Sequence, residues 1–209
     1  GCRLWASSLA LCGVMCTELM GQTTARAVEL GAGTGAPGLY LAASGCPEVI
    51  LTDVAEDALR LLRGNVKRLE GHFREIQGTG KPSQLSVRSL DFFNLSQVAE
   101  LAGPALFDLV IASDCAYERD SAEHLVAAVD ALLASGGRAL LADRDRPLSG
   151  PTLRLRLAAE AERYGLSWQL LNAHCGFFEG GLLASGLPAD LATEWEDQER
   201  SRRGEQEEG

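Results

Sequence analysis

Ala27-Val28-Glu29-Leu30-Gly31-Ala32-Gly33-Thr34-Gly35 is the stretch that decides how this chain is read. An apolar strand runs into an acidic residue. Glycines then recur at every second position before a helical segment begins. Glycine lets the backbone turn sharply and lets a ligand rest directly against main-chain N–H groups. The run is spelled like a nucleotide-binding turn; the competing reading is a tight strand-to-helix turn without a ligand. Glu29 narrows the ligand. A carboxylate at the end of a first strand repels a pyrophosphate and suits a ligand that carries an amino group and no phosphate.

The next apolar run, Val49-Ile50-Leu51-Thr52-Asp53, ends in an acid. It lies about 20 residues after the glycines, where a Rossmann-like unit places the carboxylate that holds ribose hydroxyls. An Asp at a strand end also serves as a helix N-cap, so both roles stand open for Asp53. Together the glycine turn and the acid point to an adenosine cofactor. With Glu29 beside them, the ligand is one with an amino group and no phosphate, and S-adenosylmethionine is such a ligand.

Working outward, a length of 209 residues predicts a single core. Lys and Arg number 19 against 29 Asp and Glu, a formal charge of −10, which disfavours non-specific nucleic-acid binding. Residues 194–209 carry seven acids and three arginines, so a good part of that charge sits in a tail. Cys2, Cys12, Cys16, Cys46, Cys115 and Cys175 form no C-x-x-C and no ligand-like group with the three histidines. Neither a metal site nor a disulfide framework is expected, and free thiols suit a reducing, cytoplasmic setting. The apolar stretch 4–15 lacks a basic flank and a small-x-small cleavage pattern and is too short to span a bilayer, so it reads as a buried helix.

Strand and helix signals alternate. Helices are expected at 4–20, 37–44, 55–70, 97–101, 122–134 and 151–164, and strands at 25–30, 49–53, 85–90, 107–113, 138–142 and 166–174. Gly136-Gly137 reads as the C-cap of the 122–134 helix. In the Gly-rich segment 177–188, only 182–184 could pair as a further short strand. Such alternation predicts a doubly wound α/β fold: a mostly parallel sheet with helices on both faces. Ligands bind beyond the carboxyl ends of such strands. Glu29 to Gly35, Asp53, Asp91-Phe92, and Ser113 to Tyr117 all fall at such ends.

These residues resemble a known group. Gly1-Cys2-Arg3-Leu4-Trp5 precedes a helix, and Glu29 to Gly38 holds the glycine turn. Leu51-Thr52-Asp53 and Ser113-Asp114-Cys115-Ala116-Tyr117 complete the set. The chain resembles the seven-β-strand, class I S-adenosylmethionine-dependent methyltransferases over roughly residues 1–171. More narrowly it resembles their lysine-methyltransferase-like branch, whose members modify single lysines of other proteins. The resemblance implies a seven-stranded sheet closed by an antiparallel hairpin, although the last strand is weak here. It implies that Trp5 closes the cofactor pocket, that Gly31, Gly33 and Gly35 turn beneath the methionine part, and that Asp53 binds ribose. Phe92 stands against adenine where the branch usually has Trp. Asp91 takes the adenine amino group or is simply a surface acid. Glu29 and Ser113 complete the cofactor-binding set.

Methyl transfer from a sulfonium is an in-line displacement, so positioning and exclusion of water supply much of the acceleration. A lysine acceptor has to lose its proton, which costs about 4–5 kcal/mol at pH 7. Asp114 and Tyr117, three residues apart, are the candidates for orienting the amine and walling its channel. They would share a side if they sat on a first helical turn. Their alternative roles are an N-cap and a packing residue. His124, His174 and Cys115 read as packing or surface residues. Asp143-Arg144-Asp145-Arg146 is a solvated loop or part of a substrate rim. The expectation is a methyltransferase domain over 1–195 followed by an acidic, unstructured tail over 196–209. The expected protein is a cytoplasmic, monomeric N-methyltransferase acting on a protein substrate, lysine first, with no nucleic-acid or membrane partner. The rivals are a small-molecule N-methyltransferase and a domain that binds without catalysis.

Overall fold

A computed structural model describes residues 3–19, 24–76, 83–116, 121–143 and 153–169. The chain divides into two units, Gly1–Leu171 and Asn172–Gly209, and every described residue belongs to the first. The elements run α1 (Ala6–Glu18), β1 (Arg26–Leu30), α2 (Ala36–Ala43), β2 (Glu48–Asp53), α3 (Glu56–Ile76), β3 (Gln84–Ser89), α4 (Leu95–Ala102), β4 (Phe107–Ser113), α5 (Ser121–Leu132), β5 (Leu133–Ala142) and α6 (Leu153–Arg163). The sheet order is β3-β2-β1-β4-β5, and every pairing is parallel. The order reverses between β1 and β4, which makes their carboxyl ends the switch point of the fold.

Side-chain alternation splits the core cleanly. Val28, Leu30, Ile50, Val110 and Ala112 face one layer, built with Val98 of α4 and with Leu125, Val129 and Leu132 of α5. Ala27, Val49, Leu51, Leu109 and Ile111 face the other, with Leu11 and Met15 of α1, Leu41 of α2, and Leu59, Leu62 and Val66 of α3. Strands covered on both faces read as unbroken apolar runs, as β4 does. Ala27, Val28, Leu30, Val110, Ile111 and Ala112 are all completely buried. At about 25 cal/mol per Å² of apolar surface, this central pair of strands is a main source of stability.

The structure alters several expectations. α3 continues to Ile76, six residues past the expected end, because Gly71 alone does not stop a helix. α4 starts earlier than expected, since the Asn94 side chain accepts from Ser96 N–H and Gln97 N–H and caps it. Gly136-Gly137 is not a helix cap. α5 ends at Leu132, and the glycines lie inside β5 at an irregularity where the register jumps from Phe107↔Leu133 to Leu109↔Arg138. A Cβ on Gly137 would lie 3.0 Å from Phe107 O, so the bulge brings backbone onto backbone.

The strand expected at 166–174 is not present over 166–169, which carry no regular structure. The chain there folds back on α6: Leu166 N–H donates to Ala161 O, and Trp168 Nε1 donates to Glu162. The rest of that expected strand, the short strand at 182–184 and the tail at 196–209 lie outside the described residues. Of the seven strands implied by the resemblance, five are present among the described residues.

Candidate active site at the carboxyl ends of the strands

The glycine turn is held from several sides. Thr52 Oγ1 donates to Glu29 O at 2.7 Å, and Ala32 N–H donates to Thr52 O at 2.8 Å. Gly33 N–H donates to Asp53 Oδ2 at 2.9 Å, and Asn65 of α3 reaches Thr34 O. Gly35 N–H closes the turn on Ala32 O. Gly31 and Gly35 have φ of 58° and 77°, a region that β-carbons resist, and a Cβ on Gly31 would lie 2.6 Å from Cys115 Sγ. The loop after β4 therefore presses directly on the turn after β1.

Glu29 is completely buried. Its Oε2 accepts from Gly38 N–H at 2.9 Å, in the first turn of α2. Gly35 stands at the N-cap of α2 and has no side chain to offer, so Glu29 supplies that acceptor from the strand. The other oxygen, Oε1, is buried with no hydrogen-bond partner among the described residues. Burial pushes the carboxyl up to about 8, against the pull of Gly38 N–H and with a smaller push from Asp53. The N-terminus of α2, where a Rossmann-like unit seats a phosphate, thus already holds an acid.

Asp53 is nearly buried and serves the fold twice, accepting from Gly33 N–H and, through Oδ1, from Ala55 N–H. The second bond is an Asx turn leading into α3; Asp53 is not its N-cap, because α3 begins at Glu56. Each carboxylate oxygen keeps a second lone pair for a hydroxyl donor. Leu90 N–H donates to Asp53 O, which places Asp91 and Phe92 beside it. Asp91 Oδ1 accepts from Phe93 N–H, and Phe92 is half-buried against the α5 side of the core.

On the other side of the switch point, Ser113 is buried with its hydroxyl bonded to Ser8 at 2.8 Å. Trp5 is the N-cap of α1 and accepts from Ser8 N–H, so one link joins it to the end of β4. Asp114 has φ of 55°, the lone non-glycine with positive φ among the described residues, and its N–H donates to Ala142 O. This corrects the expectation of a shared helical turn. α5 begins only at Ser121, so Asp114 neither caps it nor stands on its first turn. Tyr117 lies outside the described residues. Cys115 directs its thiol to Leu30 O at 3.2 Å, and burial first, then Asp143, push it well above the usual thiol range. It is a packing thiol, not a nucleophile.

The structure thus gathers Glu29, the three glycines, Asp53, Asp91, Phe92, Ser113 and Asp114 along one edge, with Trp5 attached through Ser8. Sequence reasoning passed over the roles of Ser8, Thr52, Asn65 and Cys115 as a spacer; Asp143, read as solvated loop or substrate rim, has a carboxylate that accepts from Ala116 N–H. A polar residue inside an apolar run was the available signal for Ser8 and Thr52. Nothing local marks Asn65.

The charge is one-sided. The described segments following the five strands, 31–35, 54–55, 90–94, 114–116 and 143, contain Asp91, Asp114 and Asp143 and no Lys or Arg. Asp53 adds to them at the end of β2; Glu29, which burial keeps protonated, adds a carboxyl group and not a charge. Such an edge fits a cationic ligand without phosphate: an ammonium and a sulfonium suit it, a pyrophosphate does not. Among the described residues no group of three or more His, Cys, Asp or Glu is placed to hold a metal ion, and no helix is long and apolar enough to cross a membrane.

Comparison with known proteins agrees with this geometry. The chain is 30% identical over 122 residues to the protein N-terminal and lysine N-methyltransferase EFM7 of Yarrowia lipolytica, covering 54% of this chain and 45% of that protein. It therefore spans under half the length of that relative. The YcgJ protein of Bacillus subtilis shares the fold, with a TM-score of 0.51 at 18% identity over 66% of this chain and 52% of the other. The sequence model of a family described as lysine methyltransferase matches residues 1–152. An acidic, glycine-turned edge on a doubly wound sheet and a family match over most of the chain lead to one conclusion: this chain belongs to the lysine methyltransferase family.

Proposed function

We propose that this chain transfers a methyl group from S-adenosylmethionine to a lysine side chain of a protein, in the cytoplasm. The observation that carries the reading is the carboxyl edge of the sheet, acidic at five positions and without a base in its described loops. The Yarrowia relative, named as a protein N-terminal and lysine N-methyltransferase, supports it.

When bound, the cofactor supplies an electrophilic methyl on a sulfonium. The chain's own residues do the rest. Gly31, Gly33 and Gly35 supply the positive-φ turn on which the ligand would rest, and Asp53 offers its remaining lone pairs to the ribose hydroxyls. Glu29 Oε1 is a buried carboxyl oxygen without a partner among the described residues, available to the ligand's amino group once the carboxyl gives up its proton. Phe92 offers an aromatic face to adenine. Asp114 stands at the end of β4 on the acceptor side. An acceptor there draws the lysine ammonium in and then orients the amine lone pair after the proton has left. No covalent intermediate on the enzyme is needed, and positioning carries the rate.

Two measurements test the reading. Calorimetry with S-adenosylhomocysteine and NAD should show binding of the first and not the second; the reverse result overturns it. Incubation with methyl-labelled S-adenosylmethionine and a cell lysate should label a protein band that yields methyl-lysine on hydrolysis. Label confined to small molecules would show a metabolite enzyme instead.

A further inference from the structure

Ser8 and Ser113 form a buried hydroxyl pair between segments 105 residues apart, 2.8 Å from oxygen to oxygen. Both side chains are nearly inaccessible, at 6% and 8% exposure, so water does not replace the bond when one partner is removed. Ser8 belongs to the first turn of α1, and Trp5 is the N-cap of that turn, accepting from Ser8 N–H at 3.0 Å. Ser113 is the last residue of β4, directly before Asp114 with its left-handed backbone. The other polar links of α1, Glu18 with Arg138 and Cys16 with Tyr40, lie at its C-terminal end, and between the two ends Leu11 and Met15 pack on the far layer of the core. Apolar packing of that kind resists separation but specifies the placement of the N-terminal turn poorly. A hydrogen bond specifies it.

We propose that Ser8 is a positioning residue for cofactor binding: through Ser113 it fixes the first turn of α1, and with it Trp5, at the carboxyl end of β4. The inference rests on the cofactor reading above, not on the identity of the acceptor. A helix that only completes the core needs no polar tether at this point, and Ala would serve there. The tether sits at the one end of α1 that meets the ligand edge. Its effect therefore falls on the cofactor and not on the chemical step.

The experiment measures S-adenosylhomocysteine affinity by calorimetry, melting temperature, and the KM for cofactor and kcat. It compares the parent chain with Ser8→Ala, Ser113→Ala, the double variant and Ser113→Thr. Ser8→Ala should weaken the ligand about tenfold and raise KM in step, with kcat within about twofold, the loss expected when one buried hydroxyl is left unpaired. Ser113→Ala should do the same and the double variant no worse, since all three lack one bond. Ser113→Thr keeps the hydroxyl and should restore affinity. If Ser8→Ala does not fold, Ser113→Ala and its Thr counterpart read the same bond from the other side. A fall in melting temperature with unchanged affinity and KM would overturn the proposal and leave Ser8 a structural link. Losses that multiply in the double variant would overturn it too. A parent that binds S-adenosylhomocysteine but labels no protein refutes the lysine reading, while the affinity comparison still decides the role of Ser8.

Discussion

The two ends of the sheet handle charge in opposite ways. At the amino end, Arg26 pairs with Glu48 at 3.1 Å, donates to Ala105 O and lies over the Phe107 ring. Asp108 accepts from Ala25 N–H and Arg26 N–H, and Arg138 meets Glu18. Each acid there has its base or its backbone donors. At the carboxyl end Glu29, Asp53, Asp91, Asp114 and Asp143 gather without a Lys or Arg in the described loops. The amino end is neutralised by the chain itself. Among the described residues the carboxyl end carries acids without a base, a balance that suits a cationic ligand.

That contrast can be broken experimentally, and the largest effect belongs to Asp114. Asn tolerates the left-handed backbone, so Asp114→Asn removes the charge while keeping the turn. Methyl transfer should fall about 10²-fold or more while S-adenosylhomocysteine affinity stays within about twofold, because an interaction with the acceptor shows in turnover. Equal losses in both would move Asp114 into the cofactor shell.

Next comes the contact between the two halves of the edge. Gly31→Ala meets both a φ of 58° and Cys115 Sγ. It should cost about 2–3 kcal/mol in chemical denaturation. Adding Cys115→Ala should recover part of that loss by removing the clash but not the backbone strain. No recovery would mean that strain alone sets the cost.

Glu29 sharpens the comparison through pH. Its carboxyl is raised from 4.5 to about 8 by burial, so the folded chain holds a proton that the unfolded chain releases. Its stabilising contribution is complete below about 4.5 and is lost as pH rises towards 8. The ligand-free chain should lose about 2 kcal/mol between pH 6 and pH 8, and Glu29→Gln should flatten that slope. An unchanged slope in the variant would show that another group titrates there. The smallest effect lies at the amino end. Glu48→Gln breaks a half-exposed pair and should cost about 0–1 kcal/mol, with ligand affinity unchanged.

Much of this was legible without coordinates. The unbroken apolar run of β4 and the period of α3 at positions 58, 59, 62, 66 and 69 gave their elements directly, because burial on two faces or on one stripe leaves a local pattern. The glycine turn and the two strand-terminal acids placed the ligand edge for the same reason. The Gly136-Gly137 pair misled because a bulge and a helix cap use the same residue, and only the pairing of β5 with β4 separates them. The 166–169 segment misled because apolar residues that dock back onto α6 look like a strand.

What the sequence determined by itself is therefore the doubly wound alternation, the turn from Gly31 to Gly35, and the acid content of the strand ends. These depend on nearest neighbours along the chain. Only the tertiary structure decided that Glu29 is sealed beneath α2 with one oxygen unpaired among the described residues, that Asp53 holds Gly33 of the glycine turn, and that Ser8 reaches Ser113. Each of these joins residues far apart in sequence. Burial and hydrogen bonding between distant segments leave no trace in either one alone, and they set the protonation, rigidity and placement on which the chemistry depends.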